Sequence, residues 1–161
     1  MTAITIRPAT TEDAGLVLGF ITELAIYEKA QHSVVASEAD ILNSLFAADA
    51  NAKALICLRG NQPIGYAVYF YNYSTWLGKR GLYLEDLYIT PEQRGSGAGK
   101  ATLKHLAQQA LEHSCGRFEW SVLDWNEPAI QFYESIGAQA QNEWIGYRLD
   151  GEALSRFAQG S

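Results

Sequence analysis

Cysteine is scarce. Cys57 and Cys115 are the two in 161 residues, too few for a disulfide framework and without metal-ligand spacing, so both read as free thiols in a reducing compartment. No run approaches the roughly 18 apolar residues of a membrane span. The segment Met1 to Pro8 has no basic stretch leading into a long apolar core, so a soluble, unprocessed, cytoplasmic chain is expected. Positive charge is in the minority: 12 Lys and Arg against 18 Asp and Glu, net charge −6 and pI near 5.0. Proteins that hold nucleic acid need clustered cations to replace phosphate counterions, so that class is excluded, whereas a cationic small molecule is allowed. The three histidines, His32, His105 and His113, share no ligand spacing, and no metal is expected. Repeats, low-complexity tracts and linkers are also missing, and residues 1–161 read as a single domain.

What is present is an alternation of short strands and amphipathic helices. Ile4 and Ile6 alternate with polar neighbours before Pro8, as in a first strand. Thr10 or Thr11 then caps a helix with Glu12 and Asp13 in its first turn, whose stripe is Leu16, Phe20, Leu24 and Tyr27. Ser37 with Asp40 resembles a capping box for a second helix through Phe46. A strand from Ala54 to Arg59 meets the turn Gly60-Asn61-Gln62-Pro63, and Ile64 to Tyr73 returns as a long aromatic strand whose large side chains on both faces call for burial on both sides. Gly81 to Thr90 is a third run, interrupted by Glu85 and Asp86. Adjacent strand residues face opposite ways, so one of these carboxylates points inward unless a bulge intervenes. After Pro91 comes a glycine loop, then a helix from Ala101 to His113, a strand from Phe118 to Leu123, a helix capped by Asn126, a last strand from Trp144 to Leu149 and a short helix from Gly151 to Ala158. The order β-α-α-β-β-β-α-β-α-β predicts an α/β domain with a mixed, mostly antiparallel sheet flanked by helices.

The loop Arg94-Gly95-Ser96-Gly97-Ala98-Gly99-Lys100 lies between strand and helix, where backbone N–H groups and the helix dipole suit a phosphate. Its spacing discriminates among cofactors. A nucleotide-hydrolase loop needs glycine at Arg94 and a hydroxyl at Ala101, and the dinucleotide pattern meets Lys100 where it needs a third glycine. The spacing that does fit is R-x-x-G-x-G, with Arg94, Gly97 and Gly99.

On that hexapeptide the chain resembles the GNAT acetyltransferase superfamily, whose corresponding loop grips the pyrophosphate of acetyl-CoA. The resemblance extends over nearly the whole chain through Ile6-Arg7-Pro8-Ala9-Thr10, Leu24 to Glu28, Leu82-Tyr83-Leu84-Glu85-Asp86 and Trp125-Asn126-Glu127-Pro128 followed by Phe132-Tyr133. It is similar above all to the diamine (spermidine/spermine) and thialysine acetyltransferases. It implies the GNAT fold, acetyl-CoA as cosubstrate, a homodimer and direct acetyl transfer to the primary amine of a small cationic substrate, a polyamine or a lysine-like amine.

An alkylammonium has a pKa of roughly 10 and must lose a proton before it attacks the thioester. Glu85, on the strand beside the loop, takes that proton directly or through water and attracts the cation, with Asp86 a lesser candidate. Tyr133 matches the family's general acid, whose phenol protonates the departing sulfur. By resemblance the cofactor contacts are Leu87, Tyr88 and Ile89 on the strand, Arg94, Gly95, Ser96, Gly97, Ala98, Gly99 and Lys100 in the loop, and Asn126, Ala129 and Tyr133 beyond it. Tyr27 and Glu28, with Glu85, face the substrate. Trp76, Glu119, Asp124 and Glu143 are weaker candidates, and Trp144-Ile145 stands where the polyamine enzyme is acidic. A non-catalytic acetyl-CoA-binding or sensing module is the alternative. It would keep the loop but need neither Glu85 nor Tyr133.

Overall fold

The computed structural model describes residues 2–160. Five strands form one sheet in the order β1-β2-β3-β4-β5: β1 Ile4–Pro8, β2 Ala52–Arg59, β3 Gln62–Ser74, β4 Lys79–Ile89 and β5 Phe118–Trp120. The first four pair antiparallel and β5 joins β4 in parallel, so the sheet is mixed and mostly antiparallel, as the element order predicts. Helices α1 (Ala14–Tyr27), α2 (Glu38–Ser44) and α3 (Ala98–Glu112) complete a unit ending at Leu123. Residues from Asp124 onward form a second unit with α4 (Glu127–Ser135) and α5 (Gly151–Ala158).

Local chemistry sets most boundaries. Ser37 Oγ accepts from Asp40 N–H at 3.1 Å while the Asp40 carboxylate accepts from Ser37 N–H at 2.8 Å, so both halves of the box that starts α2 are made. Before α1, Asp13 closes a 3-10 turn over Thr11–Asp13. Its Oδ2 accepts from Thr10 N–H at 2.7 Å and from Arg7 Nη1 at 2.8 Å, and Oδ1 accepts from Arg7 Nη2 at 3.1 Å. The Arg7 hydrogen bonds hold the buried Asp13 carboxyl below the usual range, against the opposing effect of burial. A lowered folded pKa contributes stability above the unfolded value, near 3.9, and that stability is lost as pH falls through the folded one. Asp13→Asn is therefore expected to cost about 1 kcal/mol at neutral pH and to flatten the loss of stability between neutral and strongly acidic solution. Urea unfolding across that range measures both.

The sheet has two dressed faces. Tyr66, 0% exposed, stacks on Phe20 of α1 at 5.6 Å, and Tyr88 lies 6.0 Å from the same ring. On the other face Gln109 of α3 donates to the hydroxyls of Tyr69 and Tyr71 at 2.8 and 2.9 Å. The aromatic strand is thus covered from both sides as far as Tyr69, with Phe70 and Tyr71 half-buried and Tyr73 exposed.

Three readings need correction. The deep face of α1 is Ala14, Val17 and Phe20, with Leu16 and Leu24 half-buried and Tyr27 exposed. That helix is apolar nearly all round, so periodicity did not fix its orientation. Helix α3 begins at Ala98 inside the glycine loop, earlier than Ala101, because Gly97 at φ +90° serves as its cap. Residues 144–149 form no strand. Trp144 N–H instead turns back to Gln141 O at 3.3 Å, and Tyr147 is 93% exposed.

Candidate active site

Gly95 and Gly97 have φ of +77° and +90°, a region costing a side chain roughly 1–2 kcal/mol, and a Cβ at either would meet nothing within 4 Å. Glycine is needed there for its backbone freedom, and the loop borders open space. The helical ladder of α3 starts with Ala101 N–H donating to Gly97 O, so the amides of Ala98, Gly99 and Lys100 precede it. A loop whose amides stand ahead of a 15-residue helix fits a pyrophosphate.

Strand β4 carries the decisive irregularity. Val68 pairs with Asp86 and Tyr69 with Leu84, leaving Glu85 as the extra residue of a β-bulge. Before the bulge, even-numbered residues share the α3 face, since Leu84 is the partner of Tyr69. After it they share the α1 face, since Tyr88 is the partner of Tyr66. Asp86 is thereby delivered to the α1 and α2 layer, and Glu85 stays exposed. The ladder with β5 ends at Leu84–Trp120, so the second edge of β4 from Glu85 to Ile89 is free of strand pairing.

Asp86 accepts from Tyr66 Oη at 2.5 Å and closes a cavity of about 420 Å³. That cavity has an apolar wall of Ile21, Ile41, Leu45 and Val68 and a polar one of Asn43, Ser44, Asp49 and Asn51. Burial pushes the Asp86 carboxyl up, against the opposing pull of the Tyr66 bond. Burial, then the Asp86 charge, pushes the Tyr66 phenol far up, so it remains a donor. Glu28 is raised in turn by desolvation of its carboxyl and by Asp86, which marks the two acids as neighbours. Two neighbouring carboxyls held above their usual range, one of them at the cavity, are poised for a cation that would restore their charge.

Arg94 joins this cluster to the loop. Its Nε donates to Ile89 O at 3.1 Å, and its guanidinium lies 4.7 Å from the Tyr27 ring centroid and 5.5 Å from that of Tyr88. Tyr88 in turn donates to Glu23 Oε1 at 2.9 Å. The Arg94 side chain therefore braces the end of α1 against β4, a role its place in the loop motif does not suggest.

In the second unit, Asn126 Oδ1 accepts from Ala129 N–H at 3.4 Å as the N-cap of α4, with Pro128 in the first turn. Tyr133 is half-buried, and its ring centroid is 5.8 Å from that of Phe132.

A sequence model of the acetyltransferase (GNAT) family matches residues 20–138. The chain belongs to that family. This GNAT protein is 36% identical to the thialysine N-epsilon-acetyltransferase of Mus musculus over 98% of its own length and 99% of the relative's. It is 46% identical to the L-ornithine N5-acetyltransferase of Arabidopsis thaliana over 90 residues, 56% of this chain and 40% of that one. Among solved structures, an integron cassette protein from the mobile metagenome of V. cholerae superposes with a TM-score of 0.83 and 27% identity, covering 99% and 100% of the two chains. This GNAT chain is an N-acetyltransferase.

Of its sequence-predicted site residues, Tyr27, Glu28, Tyr88 and Arg94 come together in the first unit, joined by Leu87 and Ile89 on β4 and by Gly95 to Lys100 at α3. Glu85 is next to this group on the exposed bulge. Asn126, Ala129 and Tyr133 share α4. Trp76 lies in the β3–β4 turn under Arg117, whose guanidinium is 5.8 Å from its ring, remote along the strands from Asp86. Glu119 is in β5, and Asp124 and Glu143 are exposed in the second unit. The residues under-read from sequence are Asp86, Tyr66 and Glu23. The signal for Asp86 was present, two adjacent acids in an apolar strand, but its facing depends on the bulge.

Proposed function

We propose that this enzyme moves an acetyl group from acetyl-CoA directly onto the primary amine of a small cationic substrate of the lysine or ornithine type, and that residues 1–161 work as one domain. The observation that carries the substrate class is Asp86 at the 420 Å³ cavity, with Glu28 as its electrostatic neighbour. The named relatives act on thialysine and L-ornithine, and the family match runs across both units, which supports the one-domain reading. By resemblance the enzyme works as a homodimer, and its two free cysteines suit a reducing cytoplasm.

Acetyl-CoA supplies the acyl group as a thioester. The amides of Ala98, Gly99 and Lys100 receive its pyrophosphate, and the unpaired edge of β4 at Leu87 and Ile89 is suited to hydrogen-bond an extended chain. Asp86 and Glu28 hold the substrate's ammonium, and the apolar walls accommodate its methylenes. Glu85, exposed at the bulge where β4 leaves β5, accepts the proton through water. Tyr133 donates its phenolic proton to the departing sulfur, and Asn126 fixes the helix that carries it.

Incubation with acetyl-CoA and ornithine, lysine analogues or spermidine, followed by free thiol, tests the reading. Release is expected with the amino-acid amines, and no turnover with any amine despite CoA binding would favour the sensing module instead. Tyr133→Phe is expected to lower kcat by on the order of a hundredfold with CoA affinity retained. Equal losses of both would remove the acid role.

A further inference from the structure

Besides the cavity at Asp86, a second concavity of about 410 Å³ opens on the α3 face of the sheet. Its lining is Lys53 of β2, Tyr69 and Tyr71 of β3, Arg80 of β4, and Gln109 and His113 at the end of α3. Gln109 is three turns along α3 from Ala98, roughly 16 Å at 1.5 Å per residue, so this place is separate from the glycine loop.

All six of those side chains carry hydrogen-bond donors. Gln109 uses both amide hydrogens on the two phenol oxygens, at 2.8 and 2.9 Å. Each phenol is an acceptor in that bond, so its own O–H is left to point elsewhere. Burial raises Tyr69 and keeps it a phenol. Arg80 is already placed: its Nε donates to His113 O at 3.3 Å and its guanidinium lies 4.8 Å from the Tyr71 centroid, leaving both Nη groups uncommitted among the described residues. Neither Lys53 nor Arg80 belongs to an ion pair among the described residues, although the chain carries a net charge of −6. Glu112, the acid next to His113, is not part of the lining. Capping of the α3 C-terminus accounts for Arg80 and His113. It does not account for Lys53 arriving from β2, nor for two phenols clamped by one amide.

We propose that this concavity is a binding site for a phosphate monoester, its dianion matched to Lys53 and Arg80 and its oxygens to the phenol donors of Tyr69 and Tyr71. Charge matching favours a dianion over a single carboxylate. The volume exceeds the needs of inorganic phosphate and leaves room for an organic group against the Tyr71 ring.

The test uses the full chain saturated with CoA, so that the glycine loop is occupied. Inorganic phosphate and glycerol 3-phosphate are titrated at constant ionic strength against chloride, and the Gln109 side-chain amide is followed in a proton–nitrogen correlation spectrum. Saturable shifts are expected with both probes, at lower concentration for the monoester. Lys53→Gln and Arg80→Gln are each expected to weaken the midpoint about tenfold. Lys53 is an exposed strand residue whose replacement leaves the fold intact, so the result does not depend on the Arg80 variant folding. Saturation by phosphate with no gain for the monoester would reduce the site to inorganic phosphate and overturn the proposal. Shifts that stay linear into the tens of millimolar, or that are unchanged in Lys53→Gln, would also overturn it.

Discussion

Asp86→Asn is expected to lower kcat/KM for a cationic amine by on the order of a hundredfold, about 3 kcal/mol, with CoA affinity unchanged. The carboxylate is desolvated beside the apolar wall of the cavity, where a charged hydrogen bond is poorly screened, and the amide keeps the shape and an acceptor for Tyr66 Oη while removing the charge. Stability separates this loss from damage to the fold. A carboxyl with a raised folded pKa contributes stability below its unfolded value and loses it as pH rises through the folded one. At neutral pH the buried charge is therefore a cost, and the variant is expected to melt at the same temperature as the parent or higher. The acidic limb of kcat/KM in the parent should lie above the ordinary carboxylate range, because burial raises Asp86, and should shift in the variant. Thiol-release kinetics across pH, with a melting curve, decide the matter; an unchanged kcat/KM would remove Asp86 from the site.

Gly65→Ala is expected to cost about 3 kcal/mol, near 10 °C in melting temperature for a chain of this size. A Cβ at Gly65 would lie 2.3 Å from Tyr88 O and 2.6 Å from Ile89 Cδ1. The first of these is backbone inside a strand ladder and has no rotamer by which to retreat. Relief requires β3 and β4 to part where Tyr66 and Tyr88 anchor the α1 layer, so the amine cavity is disturbed as well. Calorimetry measures the effect, and a melting temperature within a degree or two of the parent would show that the strands yield more readily than their packing implies.

The elements whose signals are local were legible in the sequence. The Ser37–Asp40 box, the Asn126 cap and the glycine loop each use side chains or φ angles that a few neighbouring residues determine, and each appears where its residues are. The features that escaped are set by distant partners. Trp144 to Leu149 has strand composition, but β propensity expresses packing on a neighbouring strand, and the chain turns at Gln141 to Trp144 instead. The facing of Asp86 depends on which residue of β4 goes unpaired against β3, which the alternation of β4 alone does not reveal. The loop motif points Arg94 to phosphate, while its contact with Tyr27 comes from a residue far away in sequence.

The unpaired Glu85 also makes the length of β4 a heritable variable distinct from its composition. Losing Glu85 would leave Leu84 opposite Tyr69 and Asp86 opposite Val68 in unbroken alternation, so every downstream side chain would keep its layer while the bulge and its exposed carboxylate vanish. A single-codon deletion would therefore remove the exposed acid in one step and keep Asp86 in the α1 and α2 layer, whereas point substitution changes the acid and keeps the bulge.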